Sequence, residues 1–537
     1  MIFLTTNSNL SAIRNFPMRI FIMACIFSCS LVGGNSARGA ETVESGIQAY
    51  EEGDFSKALG ILRPLAENGV AGAQFILGQL YHQGKGVTAD AREAAKWFQK
   101  AADQGHPGAQ NNLGYLYFNG LGVPQQFPIA YKWLSLAAAA GQEDAKKGVA
   151  DLRSKLTPAE LADTEARIGW MYHRGWGVAK DMAEAARWYL AAATHGHALA
   201  QNNMGTLYAE GQGVEQNFSQ AALWFGRAAE QGHARAQLNL ARLYRSGTGV
   251  PQDIAATYAW TYLAAQAGWE DAKKSLTELE SQVSAMDRAR AYNRIGVFYQ
   301  QGLGVPPDLA QAYKWYEKSA GGDYPSAFYN LGLLYEKGLG VTLDSNRAID
   351  WYQQAADRGH AQAQHALGML HQKGVRGKQN YKEAIKWYRA SAEQGFAPAQ
   401  VNLAIMYYEG LGQTADPEKA RLWLEKAAEQ AYTPAFPLLG RIYFLGHGVK
   451  KDWVQAYKWL RLADRAGLEN AKEGLDSVIG KASAAEREQG ERLANTWLAT
   501  HNVLIVTPVR AADSGSEAST AAPQAETATN TVTEKKE

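Results

Sequence analysis

The chain has 537 residues, of which 54 are basic and 53 acidic, so its net charge is +1. This length requires several domains or one extended repeat array, and the balanced charge excludes the broad positive field that nucleic-acid binding uses. Tryptophan and tyrosine are frequent and proline is scarce, so most of the chain is expected to fold.

The N-terminal segment has the layout of a secretory signal peptide. Arg14 and Arg19 precede an apolar run over 20–32, and small residues follow up to Ala40. The apolar run is shorter than the roughly 20 residues that a membrane-spanning helix needs. We therefore predict that residues 1–40 are removed and that the chain is periplasmic or secreted; a membrane anchor is the alternative.

The two cysteines of the chain, Cys25 and Cys29, lie inside this segment. Cleavage leaves the mature protein without cysteine, which excludes disulfides and cysteine-ligated metals. Anchoring as a lipoprotein is not expected, because Phe27 is bulky where a lipoprotein cleavage site carries a small residue.

A strict period organises the rest of the chain. A repeat glycine, replaced twice by alanine, recurs at intervals of 36 residues seven times and 55 residues twice. These ten positions are Gly78, Gly114, Gly169, Gly205, Ala241, Gly296, Gly332, Gly368, Ala404 and Gly440. Nineteen residues after each of them stands a repeat tryptophan: Trp97, Trp133, Trp188, Trp224, Trp260, Trp315, Trp351, Trp387, Trp423 and Trp459.

Each repeat is predicted to form two helices. The first carries the repeat glycine and ends at a Gly-x-Gly loop, since glycine accepts the positive φ of a helix end. The second carries the repeat tryptophan, and one such pair buries its apolar face only against further pairs. An N-cap for the second helix is predicted twelve residues after the repeat position, at Asp90, Asp181, Asn217, Asp253, Asp308, Asp344, Asn380, Asp416 and Asp452.

The pattern from Ala73 to Gly105, A-x-x-x-L-G-x-x-Y-x-x-G-x-G-V-x-x-D-x-x-x-A-x-x-W-(Y/F)-x-x-A-A-x-x-G, resembles the Sel1-like repeat. That family is related to the tetratricopeptide repeat, and the resemblance extends over about residues 43–497. It implies an all-α fold, a right-handed α/α superhelical solenoid of Sel1-like (TPR-like) helix pairs.

Two 19-residue insertions produce the 55-residue intervals. The sequence EDAKK that begins at Glu143 in the first recurs at Glu270 in the second, 127 residues later. We infer an internal duplication with two inserted cap-like helices. The predicted domains are a signal peptide (1–40), a degenerate N-terminal capping repeat (41–70), Sel1-like repeats (71–144), a cap-like insertion (145–163), repeats (164–268), a second insertion (269–290), repeats (291–470), C-terminal capping helices (471–500) and a disordered tail (501–537).

No sequence motif for catalysis stands out. The Gly-x-Gly loops follow helices, and no Walker lysine, Gly-x-Ser-x-Gly or His-Glu-x-x-His is present. His106, His197, His233 and His360 share one repeat position beside a glycine and are predicted to be turn residues. We expect no enzyme, no cofactor and no metal.

The remaining candidate for function is a surface stripe on the first helix of each repeat, at positions −3, +1 and +4 from the repeat glycine. The resemblance implies that these helices line a concave face. The candidate protein-binding residues are Phe75, Gln79, Asn111, Tyr115, Trp170, Asn202, Arg242, Arg245, Tyr329, Tyr408 and Arg441. The alternative is that such residues pack on the next repeat.

By analogy with the family, we expect a scaffold or adaptor that binds a protein or peptide in the cell envelope, in assembly, regulation or host interaction. We expect no nucleic-acid partner and no transmembrane segment after removal of the signal, and the oligomeric state stays open. One alternative is a structural protein associated with peptidoglycan or another glycan. Another is a hydrolase similar to β-lactamases, although the cysteine pairs of that branch are missing.

Overall fold

A computed structural model describes residues 42–374, 379–469 and 471–501. Within these ranges the chain forms 26 α-helices and no β-strand. The predicted signal peptide lies outside the described residues, as does the predicted tail beyond His501.

The described residues divide into two compact units, the first ending at His195 and the second beginning at Gly196. The first unit contains α1 (Val43–Glu51), α2 (Phe55–Glu67), α3 (Ala71–Gln83), α4 (Ala91–Asp103), α5 (Pro107–Asn119), α6 (Phe127–Ala139), α7 (Glu143–Arg153), α8 (Pro158–Arg174) and α9 (Met182–Thr194). The second unit contains α10 (Ala198–Glu210), α11 (Phe218–Glu230), α12 (Ala234–Ser246), α13 (Ile254–Gln266), α14 (Glu270–Gln282), α15 (Ala285–Gln301), α16 (Leu309–Gly321), α17 (Pro325–Lys337), α18 (Ser345–Asp357), α19 (Ala361–Lys373), α20 (Tyr381–Glu393), α21 (Ala397–Glu409), α22 (Pro417–Glu429), α23 (Ala435–Leu445), α24 (Trp453–Arg465), α25 (Ala471–Ile479) and α26 (Ala484–Thr500).

Consecutive helices pack as pairs, which confirms the predicted all-α class and its helix-pair architecture. We call the helix with the repeat glycine the A-helix and the helix with the repeat tryptophan the B-helix. In the first repeat these are α3 and α4. In the repeat around Gly332 they are α17 and α18.

The predicted caps fix where the B-helices begin. Asp90 is the N-cap of α4, and its Oδ1 accepts hydrogen bonds from the backbone N–H groups of Arg92 (2.8 Å) and Glu93 (3.1 Å). All nine predicted Asp and Asn caps accept such a bond, which confirms them. The second repeat has Gln126 at this position, and its side chain makes no capping bond.

At the repeat glycine, a side chain of the B-helix packs directly against the backbone of the A-helix and leaves no room for a Cβ atom. A Cβ added to Gly332 would lie 2.5 Å from the Tyr352 ring, far inside van der Waals contact. The residue 20 positions after the glycine makes this contact in all eight glycine repeats, and it is Phe, Tyr or Leu. The Ala241 repeat carries the smaller Thr261 there, which is buried. In the glycine repeats the A- and B-helices therefore approach more closely than a side chain at the repeat position would allow.

The repeat tryptophans form the apolar layer beside this contact. Six are buried in the core, namely Trp133, Trp224, Trp260, Trp315, Trp387 and Trp459. The other four are partly exposed. Basic side chains cover some of these rings, as where Lys100 Nζ lies 4.0 Å from the Trp97 ring centre and Lys426 Nζ lies 4.2 Å from that of Trp423.

Buried glutamines tie several of the repeats to their neighbours. Gln400 Nε2 donates to the carbonyl of Ala392 on the preceding B-helix (3.2 Å), and Gln400 Oε1 accepts from Gln430 at the end of its own B-helix (2.9 Å). One repeat replaces this amide pair with an acid and a base. There Glu165, 1% exposed, lies 2.8 Å from His195 Nδ1.

Helices α7 and α14 occupy the two insertions, and they pack on α6 and α13 respectively. The surrounding contacts recur 127 residues apart. Gln110 Nε2 donates to the carbonyl of Gly177 (2.7 Å), and Gln237 Nε2 donates to that of Gly304 (3.0 Å). The two blocks thus share their packing, while the cap-like role of the insertions stays a prediction.

Substituting Gly332 by Ala should destabilise the second unit by about 1–3 kcal/mol, because the added methyl group overlaps the Tyr352 ring. The matched control is Gly226→Ala in α11, where nothing lies within 4 Å of the added Cβ. The control should raise stability slightly, since alanine favours a helix by about 1 kcal/mol over glycine. Thermal unfolding followed by circular dichroism measures both, and equal melting temperatures for the two variants would contradict the account.

The histidines beside the repeat boundary should make stability depend on pH. His360 is the N-cap of α19, and its Nδ1 accepts from the Ala363 N–H (3.3 Å), which requires a neutral ring. Burial lowers the pKa of His360 from 6.5 to about 4. Its contribution to stability is therefore complete above pH 6.5 and is lost as the pH falls towards 4.

The variant His360→Asn keeps a capping oxygen that does not titrate. We expect the melting temperature of the wild type to fall relative to the variant between pH 6.5 and 4, and to run parallel to it above pH 6.5. A constant difference over the whole range, measured by scanning calorimetry, would show that the ring does not titrate with folding.

Candidate protein-binding surface

The −3 position of the A-helices links successive repeats in the second unit. Asn202 is 2% exposed, and its Oδ1 accepts a hydrogen bond from Asn239 Nδ2 at 3.2 Å. The same register joins Asn330 to Asn293 (2.9 Å) and Asn402 to His365 (2.9 Å). An amide at this position therefore takes part in repeat packing.

Aromatic residues at the −3 position stack on the N-cap of the next A-helix. The Phe75 ring lies 4.4 Å from that of His106, and the Tyr329 ring lies 4.8 Å from that of His360. Burial raises the pKa of Tyr329, so its phenol stays neutral near pH 7. Phe75, Asn202 and Tyr329 thus contact neighbouring repeats, and their role in binding stays a prediction.

Three further candidates lie on the A-helices of the first two repeats. Gln79 is 9% exposed and Asn111 is partly buried, and neither carbonyl oxygen has a hydrogen-bond partner among the described residues. The Tyr115 hydroxyl donates to the backbone carbonyl of Asp144 on α7 (2.9 Å), and burial raises the pKa of this phenol. The inserted helix α7 therefore engages one of the predicted binding residues.

Two tryptophans of the third repeat face solvent together. Trp170, at the +1 position of α8, is 46% exposed, and so is Trp176 in the Gly-x-Gly loop that follows. Their ring centres lie 5.8 Å apart in an edge-to-face arrangement. The predicted surface stripe did not include Trp176, because it was defined by helix positions alone. The sequence signal that could have identified Trp176 was a large aromatic residue between the two glycines of the Gly-x-Gly loop.

Arg242 and Arg245 are exposed on α12 in the second unit. Arg242 Nη1 donates to Asn239 Oδ1 (3.4 Å), and Arg245 Nη2 donates to Gln282 Oε1 (3.1 Å). Both guanidinium groups are therefore bonded to neutral amide oxygens, and these bonds do not cancel their positive charge.

The last two candidates border a cleft between α21 and α23 in the second unit. The Tyr408 hydroxyl lies 2.7 Å from His447 Nδ1, and the Arg441 guanidinium lies 5.7 Å from the Tyr408 ring centre. Apolar side chains form the floor of this small cleft, which has a volume of about 40 Å³. They include Ala404, Leu424, Leu438 and Ile442.

The four histidines predicted to be turn residues are all A-helix N-caps. His106, His197, His233 and His360 each accept a backbone N–H at Nδ1, at 3.2–3.3 Å. Among the described residues, no group of three or more His, Cys, Asp or Glu side chains is arranged to hold a metal ion. In the same part of the chain, no helix has the length and apolar character to cross a membrane.

Solved structures with a similar chain include the protective antigen c5321 of uropathogenic Escherichia coli, which displays an SLR fold. It is 29% identical, the match covers 86% of this chain and 99% of that one, and the TM-score is 0.33. A Sel1 repeat protein from Oxalobacter formigenes is 27% identical over 65% of this chain and 89% of its own, with a TM-score of 0.31. Immunity protein Pa5087 from Pseudomonas aeruginosa is 17% identical over 51% and 88%, with a TM-score of 0.26.

A search of curated proteins gave no match. The family model described as Sel1 repeat matches ten segments: residues 71–106, 107–142, 162–197, 198–233, 234–269, 289–324, 325–360, 361–396, 397–432 and 438–467. These segments span most of the chain and coincide with the helix pairs described above. The chain therefore belongs to the Sel1 repeat family, whose members are generally non-catalytic scaffolds for protein–protein interaction.

Proposed function

We propose that this chain is a non-catalytic scaffold of the cell envelope that binds a protein or peptide on the exposed side of its A-helices. The observation that carries the proposal is the exposed pair Trp170 and Trp176. Large exposed aromatic surface is unfavourable in water, and tryptophan is enriched among the residues that dominate protein interfaces. A partner that covers both rings would recover that free energy.

The non-catalytic part of the proposal is supported by the structural roles of the polar groups. The four histidines of the repeat boundary cap helices, and the buried glutamines join repeats. Glu165 is paired with His195 in the position that such a glutamine pair occupies elsewhere. These contacts give the most reactive buried groups a function in packing.

The envelope location is supported by the N-terminal sequence. Two arginines, an apolar run over 20–32 and small residues up to Ala40 follow the order of a secretory signal. The proposal places the mature chain in the periplasm or outside the cell, where its lack of cysteine is compatible with an oxidising environment.

Binding should depend on the tryptophan pair. Envelope proteins crosslinked to the wild-type chain in its own host should include discrete partners, and Trp170→Ala with Trp176→Ala should lower their recovery at least about tenfold, since hot-spot losses of 2 kcal/mol or more are usual. The matched control is Leu422→Ala, which removes a side chain that is 45% exposed on a B-helix. Quantitative mass spectrometry of the crosslinked material gives the recovery.

Equal recovery with the double variant and the control would contradict binding at the tryptophans. Retention by purified peptidoglycan alone, lost in the double variant, would support the glycan-associated alternative, since indole rings also stack on sugars. Circular dichroism confirms that each variant keeps its helices.

Export should remove the signal. N-terminal sequencing of the protein recovered from its host should give a first residue close to Glu41, because the small residues that precede it fit a cleavage site. Substituting an arginine for Leu31 interrupts the apolar run and should leave the precursor uncleaved. A wild-type protein that keeps residues 1–40 in the cytoplasmic fraction would contradict the proposed location.

A further inference from the structure

Helix α12 has an unusual charge. It carries Arg235, Arg242 and Arg245 and no acidic residue, and all three arginines are exposed. Their spacing of i, i+7 and i+10 places them along one stripe of the helix, which we call the arginine stripe. Like charges three residues apart destabilise a helix slightly, so folding alone does not favour this arrangement.

Several other arginines of the second unit pair with carboxylates, whereas these three do not. Arg290 and Arg294 both pair with Asp253, at 2.7 and 3.3 Å. By contrast, no carboxylate of the described residues lies within ion-pair distance of the arginine stripe. Asn239 and Gln282 hold Arg242 and Arg245 by neutral oxygens, which orients the guanidinium groups without cancelling their charge.

The duplicated block shows that repeat packing does not require the arginine stripe. The helix equivalent to α12, 127 residues earlier, is α5, which has no charged residue. Tyr115 and Phe118 stand there in place of Arg242 and Arg245. Both helices keep the same buried glutamine contact, although Tyr115 bonds to α7 and Arg245 to α14, so the stacking of the repeats does not depend on the arginines.

We propose that the arginine stripe binds an acidic, extended segment of a protein partner. The stripe is about 15 Å long at 1.5 Å per residue, which matches roughly five residues of extended chain at 3.3 Å each. Alternate side chains of such a segment lie on one side, about 7 Å apart, and a carboxylate there can form a bidentate pair with a guanidinium group. The inference rests on the proposed function in that the ligand is a protein.

The charge of the chain favours a short acidic segment over a long polyanion. The chain as a whole is nearly neutral, with a net charge of +1 that includes the arginine stripe. A polyanion gains affinity mainly from many phosphate or sulfate contacts in an extended positive field. Three guanidinium groups on a single helix can pair with only a few carboxylates, which a short acidic segment provides.

The test is a fluorescence anisotropy titration of the full chain with a labelled peptide, Gly-Glu-Ser-Glu-Ser-Glu-Gly, and its glutamine analogue. At about 50 mM salt the glutamate peptide should bind at least about tenfold more tightly than the analogue, and the difference should shrink as salt screens the charges. The variant Arg242→Tyr with Arg245→Phe introduces the residues of the first block and should weaken binding of the glutamate peptide about tenfold. The matched control, Lys382→Gln with Lys450→Gln, removes two exposed charges of the same unit and should change it less than twofold.

Equal affinities for the two peptides would overturn the inference, as would equal weakening by the lysine control. A hexamer of galacturonate that binds as tightly as the glutamate peptide would also overturn it, because the stripe would then recognise charge alone. The proposed function is tested separately by the crosslinking experiment. It would be contradicted if the recovery of envelope partners did not depend on Trp170 and Trp176.

Discussion

The close contact between the repeat glycine and the side chain 20 residues later holds the rest of the architecture in place. At Gly332 and Tyr352 the ring occupies the space that a Cβ would need. The Tyr352 hydroxyl then reaches across to Glu336 on the A-helix at 2.6 Å. Because the two helices meet at this distance in repeat after repeat, the caps and the tryptophans fall into equivalent places. The two alanine repeats differ at the facing position, since Ala241 faces the smaller Thr261 whereas Ala404 faces Leu424, and all four residues are buried.

Much of this fold follows from the sequence because the period is strict. The ten repeats, the glycine loops and the nine Asp and Asn caps could all be predicted, since each depends on a local signal repeated many times. The glutamine links could not, because they join residues such as Gln110 and Gly177 whose proximity depends on how repeats stack. The histidines were placed in turns, but their capping bonds depend on a ring orientation that spacing does not determine.

The candidate surface was harder to predict than the fold. A helical stripe contains both residues that pack on the next repeat and residues that face solvent, and the spacing is the same for both. Asn202 and Trp170 illustrate the difference, since one is buried in an amide pair and the other is half exposed beside Trp176. The −3 position links repeats wherever its neighbour offers a partner, whereas the +1 position varies, since Tyr115 bonds to α7 and Trp170 is exposed. The exposed +1 residues differ in chemistry, with an indole ring at Trp170 and a guanidinium group at Arg242.

The interior of each repeat is thus constrained by packing, and we propose that recognition depends on the residues that vary on the exposed side of the A-helices. Site-specific photocrosslinking in the host tests this division most directly. A benzophenone side chain would be placed in turn at +1 positions of A-helices, Trp170, Arg242 and Arg441, and at exposed B-helix positions, Leu190, Leu223 and Leu422. The account predicts protein adducts from the A-helix set and none from the B-helix set. Adducts formed only from the B-helix positions would contradict it.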